Sequence, residues 1–167
     1  MSVHPPGRRI VIGLGNEYRR DDGFGPLVVA ALAERRGREP RLAAAELWVS
    51  DGDPARLLDL WAGADLVVLV DAVRGGDQPG RVYELVVDDV DRPAGGTASS
   101  HGISLGSTVA LARALGRLPR RLVVLAVSGR EFGFGVDLSP QVAALVEPVA
   151  RRAGELVAGT GGDPRAA

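Results

Sequence analysis

Three side chains carried by three different segments of this sequence could do chemistry together: Asp22, Asp71 and His101. Asp22 closes Gly13-Leu14-Gly15-Asn16-Glu17-Tyr18-Arg19-Arg20-Asp21-Asp22-Gly23-Phe24-Gly25. That stretch lies between the apolar run Arg9-Ile10-Val11-Ile12 and the helical pattern from Leu27 to Leu32. It is a strand-to-helix turn, the place where open α/β sheets put their ligands. Its glycines allow a tight bend and close backbone approach. Asp71 ends the most apolar run of the chain, Leu66-Val67-Val68-Leu69-Val70, and His101 closes the Gly/Ala/Ser-rich stretch before a third helical pattern. Two carboxylates and one imidazole, with no further obligatory ligand, describe an open metal site. Such an O/N set suits zinc or nickel and is too poor in sulfur for a soft metal.

Each residue also has a plainer interpretation. Asp22 can be a helix N-terminal charge, worth ~0.3–1 kcal/mol. Asp71 can be a strand-end turn residue, and His101 a surface-loop histidine. Convergence on one rim of a sheet is what would make them a site, and it requires the strands before Asp22 and Asp71 to be parallel neighbours.

The elements that must position them alternate along the chain. Strands are expected at Arg9 to Leu14, Leu42 to Val49, Leu66 to Val70, Arg81 to Val87 and Arg121 to Val127. Helices are expected at Phe24 to Arg36, Asp53-Pro54 to Trp61, Ile103 to Leu115 and Ser139-Pro140 to about Val157, with Asp53 and Ser139 in N-cap positions. The resulting β-α-β-α-β-β-α-β-α order predicts an α/β fold: a three-layer α/β/α sandwich on a mostly parallel, twisted sheet of about five strands. The consecutive third and fourth strands are the expected antiparallel pair. Residues 9–158 form one expected domain, between a flexible N-terminus over 1–8 and a disordered Gly/Pro/Ala-rich tail over 159–167.

Composition removes several classes. The 167 residues are 46% hydrophobic and 25% charged, ordinary for one globular domain. A net charge of −1 gives no electrostatic case for nucleic acid or an anionic membrane. All 20 basic residues are arginine and cysteine is absent, so lysine Schiff bases, P-loop lysines, thiolate ligands and disulfides are excluded. Residues 1–9 lack the apolar stretch of a signal peptide, and no apolar run is long enough to span a membrane. The expectation is a cytoplasmic protein, with a monomer as the default.

In this order, the Gly13 to Gly25 motif, the Val70-Asp71-Ala72 strand end and Ser100-His101 resemble the nickel–iron hydrogenase maturation endopeptidases. The similarity extends over roughly Arg9 to Val149, including Asp51-Gly52 after the second strand and Leu138-Ser139-Pro140 before the last helix. The resemblance implies that Asp22, Asp71 and His101 bind metal and carry catalysis. It also implies an enzyme that removes the C-terminal extension of a hydrogenase large-subunit precursor once nickel has been inserted. The nickel would be presented by that precursor, with no organic cofactor. Asp21 lies close enough to be considered as a general base. The leading alternative is a non-catalytic nickel-checking module for the same precursor, with the Gly129 to Gly135 loop, containing Phe132 and Phe134, as a docking surface or as a cap on the core.

Two other motifs are weaker. Gly102-Ile103-Ser104-Leu105-Gly106 matches the G-x-S-x-G nucleophile elbow, but no histidine follows Ser104. Gly13-Leu14-Gly15-Asn16 also resembles the opening of peptidyl-tRNA hydrolases, without the Pro-Gly and the His-Asn pair that follow in that family.

Overall fold

The computed structural model describes residues 7–75, 78–87 and 102–159. Its five strands are β1 (Arg9–Leu14), β2 (Glu46–Ser50), β3 (Leu66–Arg74), β4 (Val82–Val87) and β5 (Arg121–Gly129). The helices are α1 (Phe24–Arg36), α2 (Pro54–Trp61), α3 (Gly102–Ala114), α4 (Pro140–Ala143) and α5 (Val146–Ala158). One sheet has the order β2-β1-β3-β5-β4. β1–β2, β1–β3 and β3–β5 are parallel, and β4 lies antiparallel to β5 at the edge.

The α/β sandwich expected from the sequence is the observed architecture, and the central strands explain why. β1, β3 and β5 are apolar at nearly every position because each face of the sheet is covered. Val11, Val68, Val70, Val123, Leu125 and Val127 pack on one side with Phe24, Val28 and Leu32 of α1 and Val149, Ala150 and Ala153 of α5. Ile10, Ile12, Val67, Leu69, Leu122 and Val124 pack on the other with Leu57, Leu58 and Trp61 of α2 and Ala112 of α3. Burying each of the valine, leucine, isoleucine and phenylalanine side chains contributes ~1.5–3 kcal/mol.

Three local expectations are corrected. β4 pairs with β5 rather than β3. The chain leaving β3 is fastened across the end of β5 by Ser128, whose hydroxyl donates to Gln78 O (2.7 Å) and accepts from Arg81 N (3.0 Å). β2 begins at Glu46, not Leu42. Pro40–Leu42 forms a 3-10 turn, and the Leu42 carbonyl accepts Ala45 N (3.0 Å), so Leu42 and Ala45 plug the α1/α5 core instead of extending the strand. The last helix is divided into α4 and α5. In a continuous helix Pro148 would owe a hydrogen bond to Ala144 O and its ring would collide there; in the first turn of α5 its missing N–H costs nothing.

Neither expected N-cap side chain caps its helix: Asp53 and Ser139 make no such bond. The expectations of a flexible N-terminus over 1–8 and a disordered tail over 159–167 fall almost wholly on residues 1–6 and 160–167, which lie outside the described residues.

Candidate active site

β1 has β2 on one side and β3 on the other, so the connections after β1 and β3 leave in opposite directions along the sheet. A crevice opens at such a switch point, at the carboxyl ends of the strands. The last β1–β3 pair is Gly13 with Val70. β3 runs on as far as Arg74, against an expected end at Val70, so Asp71 stands one residue beyond the seam, paired on its other side with Ala126 of β5. It is 3% exposed. Alternation along β3 puts it on the same face as Val67 and Leu69, the face covered by α2 and α3.

Asp22 is carried by the turn after β1. Arg20–Gly23 forms a 3-10 turn that packs against β3 and leads into α1. The backbone there is close enough to β1 and β3 to require glycine. A Cβ on Gly25 would overlap Leu14 O and stand 2.7 Å from Val70 O; one on Gly15 (φ +134°) would overlap Asp22 O. Asp22 is 4% exposed, and its Oδ2 accepts Asn16 N (2.9 Å). The N-cap of α1 is Gly23, with no side-chain cap bond, so Asp22 does not cap that helix through a hydrogen bond. Asp22 instead folds the glycine-rich loop back on itself.

Asp21 does something different from the general base considered for it. It is fully buried. Its Oδ2 accepts Arg130 N (2.8 Å), Glu131 N (2.9 Å) and Ser139 Oγ (2.6 Å), and its Oδ1 accepts Ser139 N (2.7 Å). Three of these donors share Oδ2 and the fourth holds Oδ1, so both oxygens are engaged by the protein in a site closed to solvent. Burial pushes its pKa up, but the bonds from Glu131, Ser139 and Arg130 together outweigh it and hold the carboxyl below the usual range. Asp21 is a tether that is charged at neutral pH. This also explains the idle N-cap, since the Ser139 hydroxyl is spent on Asp21. A polar pair 118 residues apart has no signature in the sequence.

The loop after β5 divides its two phenylalanines. Phe132 is partly buried against the α1/α5 core with the Arg74 guanidinium 4.8 Å from its ring centre, whereas Phe134 is 91% exposed. Core cap and surface side chain are thus both present, two residues apart.

His101 lies outside the described residues, immediately before α3 in the sequence. Among the described residues no group of three or more His, Cys, Asp or Glu side chains is assembled that could hold a metal. Asp71 lies one residue past the last β1–β3 pair and Asp22 in the turn that packs against β3, both nearly fully buried. Carboxylate oxygens are donors of the kind that suit a hard or borderline divalent cation. Ser104 does not sit at a nucleophile elbow: Gly102 and Ile103 before it already belong to α3.

The hydrogenase maturation protease family model matches residues 28–155. The chain belongs to that family. It is 31% identical over 153 residues to the hydrogenase expression/formation protein HupD of Thiocapsa roseopersicina, covering 89% of this chain and 67% of that protein. It is 27% identical over 144 residues to the hydrogenase 2 maturation protease of Escherichia coli, covering 84% and 85%. The fold is also that of the solved E. coli hydrogenase maturating endopeptidase HybD, with a TM-score of 0.76 at 23% identity over 92% of this chain and 94% of that one. This chain is therefore a hydrolytic maturation enzyme of the hydrogenase system. No helix among the described residues is long and apolar enough to cross a membrane.

Proposed function

We propose that this protease removes the C-terminal extension of a nickel–iron hydrogenase large-subunit precursor after nickel insertion, and that Asp22, Asp71 and His101 complete the coordination of the nickel the precursor brings. The supporting observation is that two acidic residues from separate segments are buried near the β1–β3 switch point: Asp71 one residue past the last pair, and Asp22 in the turn that packs against β3. The metal belongs to the substrate, so a precursor without it presents nothing for the carboxylates to grip. Nickel held there would orient the scissile segment and polarise its carbonyl toward water. Asp22 is pre-set for this by its bond to Asn16 N, and Asp71 by the strand beneath it. His101 is the nitrogen donor the sequence places next to α3.

Intact-mass analysis of a nickel-loaded and a nickel-free precursor from the same organism tests the proposal. The expected result is loss of a C-terminal peptide only from the loaded form, and only with Asp22, Asp71 and His101 all present. Cleavage of the nickel-free form, or full activity of Asp22→Ala, Asp71→Ala or His101→Ala, overturns it. Binding without mass loss would instead mark a checking module.

A further inference from the structure

The loop from Arg130 to Ser139 is joined to the turn carrying Asp22 by far more bonds than a surface connection needs. Beyond the four bonds to the Asp21 carboxylate, Asp21 N donates to Glu131 O (2.9 Å), Arg20 N to Gly135 O (2.9 Å) and Gly135 N to Tyr18 O (3.0 Å). The Arg20 side chain adds an ion pair to Glu131 (2.6 Å). Gly129 leaves room for this contact, since a Cβ there would stand 3.1 Å from that of Asp21. Arg20 itself is held at φ +49°, a conformation a non-glycine residue keeps only where its surroundings over-determine it.

We propose that Asp21 is a positioning residue for the hydrolysis: its buried carboxylate locks the loop after β5 onto the Arg20–Gly23 turn and so fixes where the Asp22 carboxylate stands in the crevice. The inference rests on Asp22 being a nickel ligand. A four-residue 3-10 turn cannot hold its own geometry. It is gripped on one side by Asn16, through Asp22, and on the other by Arg130, Glu131 and Ser139, through Asp21. Releasing the second grip lets the turn relax without touching the ligand set. A displacement of ~1 Å at a reacting centre is enough to cost ~10²-fold in rate.

The test compares wild type, Asp21→Asn, Ser139→Ala and Asp22→Ala in steady-state cleavage of the nickel-loaded precursor, with near-UV circular dichroism confirming a folded protein at the assay temperature. Asparagine keeps the volume but turns an NH2 group toward N–H donors. The expected result is a kcat lower by about 10–100-fold with KM within about twofold, the size typical of groups that orient metal ligands. A role confined to stability moves neither constant in the folded variant. Folded Asp21→Asn with wild-type kcat, or a loss carried wholly by KM, overturns the inference. Should Asp21→Asn not fold, Ser139→Ala decides by deleting one of the four bonds: a lowered kcat supports the inference and an unchanged one overturns it. An inactive Asp22→Ala beside an unimpaired Asp21→Asn overturns this inference alone. A fully active Asp22→Ala overturns the ligand assignment and this inference with it.

Discussion

Replacing Gly25 by alanine tests whether α1 is seated on the sheet by direct backbone contact. The added Cβ would overlap Leu14 O and lie 2.7 Å from both Leu14 N and Val70 O, all of them backbone atoms of central strands that cannot swing aside. Ordinary contact begins near 3.4 Å, and the Leu14 O overlap is the closest, so the first turn of α1 must lift by ~1 Å. Phe24 and Val28, both fully buried, sit beside that gap. A lift of this size forfeits a quarter to a half of their contacts, about 1–2 kcal/mol, and the residual strain adds a similar amount. The expected cost is about 3 kcal/mol, which lowers the urea midpoint by roughly 1–2 M. Gly106→Ala is the matched control. Gly106 lies inside α3, has nothing within 4 Å of where its Cβ would be, and should gain ~0.5–1 kcal/mol from the better helix former. Equilibrium unfolding followed by far-UV circular dichroism reads both. A Gly25→Ala midpoint within ~0.3 M of wild type would refute the seating argument. Equal losses in the two variants would show a general intolerance of alanine rather than a steric contact.

The same measurement across pH isolates Asp21. Its folded pKa lies below the unfolded value of 3.8, so its stabilising effect is complete above the ordinary carboxylate range and is lost as pH falls through 3.8 toward the folded value. In that interval the unfolded chain binds more protons, and wild-type stability should fall more steeply with acid than that of Asp21→Asn; parallel acid limbs would contradict the tether. The two loop phenylalanines should separate cleanly by thermal unfolding. Phe132→Ala is expected to lose about 2 kcal/mol, from partial burial and the Arg74 contact, and Phe134→Ala to stay within ~0.5 kcal/mol. A shared loss would mean that the loop unfolds as one unit.

The sandwich was legible because the sheet covers both its faces. Apolar runs at β1, β3 and β5 can satisfy no other arrangement of alternating strands and helices, and the Gly13 to Gly25 spacing marks the one turn that must press against them. Strand order was not legible at β4, because its place beyond β5 is decided by Ser128 fastening the preceding chain across the end of β5. The divided last helix was readable in principle from Pro148, whose conflict with Ala144 is a local matter.

Asp22 and Asp71 could be singled out because one lies in the turn after β1 and the other at the end of the apolar run of β3, and the parallel pairing of β1 with β3 makes those strands neighbours. Asp21 shows where such reasoning stops. Two adjacent aspartates look interchangeable in sequence, yet one folds back on Asn16 at the crevice and the other is consumed by three residues from the far end of the chain. What separates them is the direction each side chain leaves a tight 3-10 turn. Neighbouring positions on such a turn point about a third of a revolution apart, so one carboxylate turns to Asn16 while its neighbour faces the loop after β5. The acidic pair is thus two devices back to back, and only substitution at Asp21 leaves the Asp22 carboxylate itself in place.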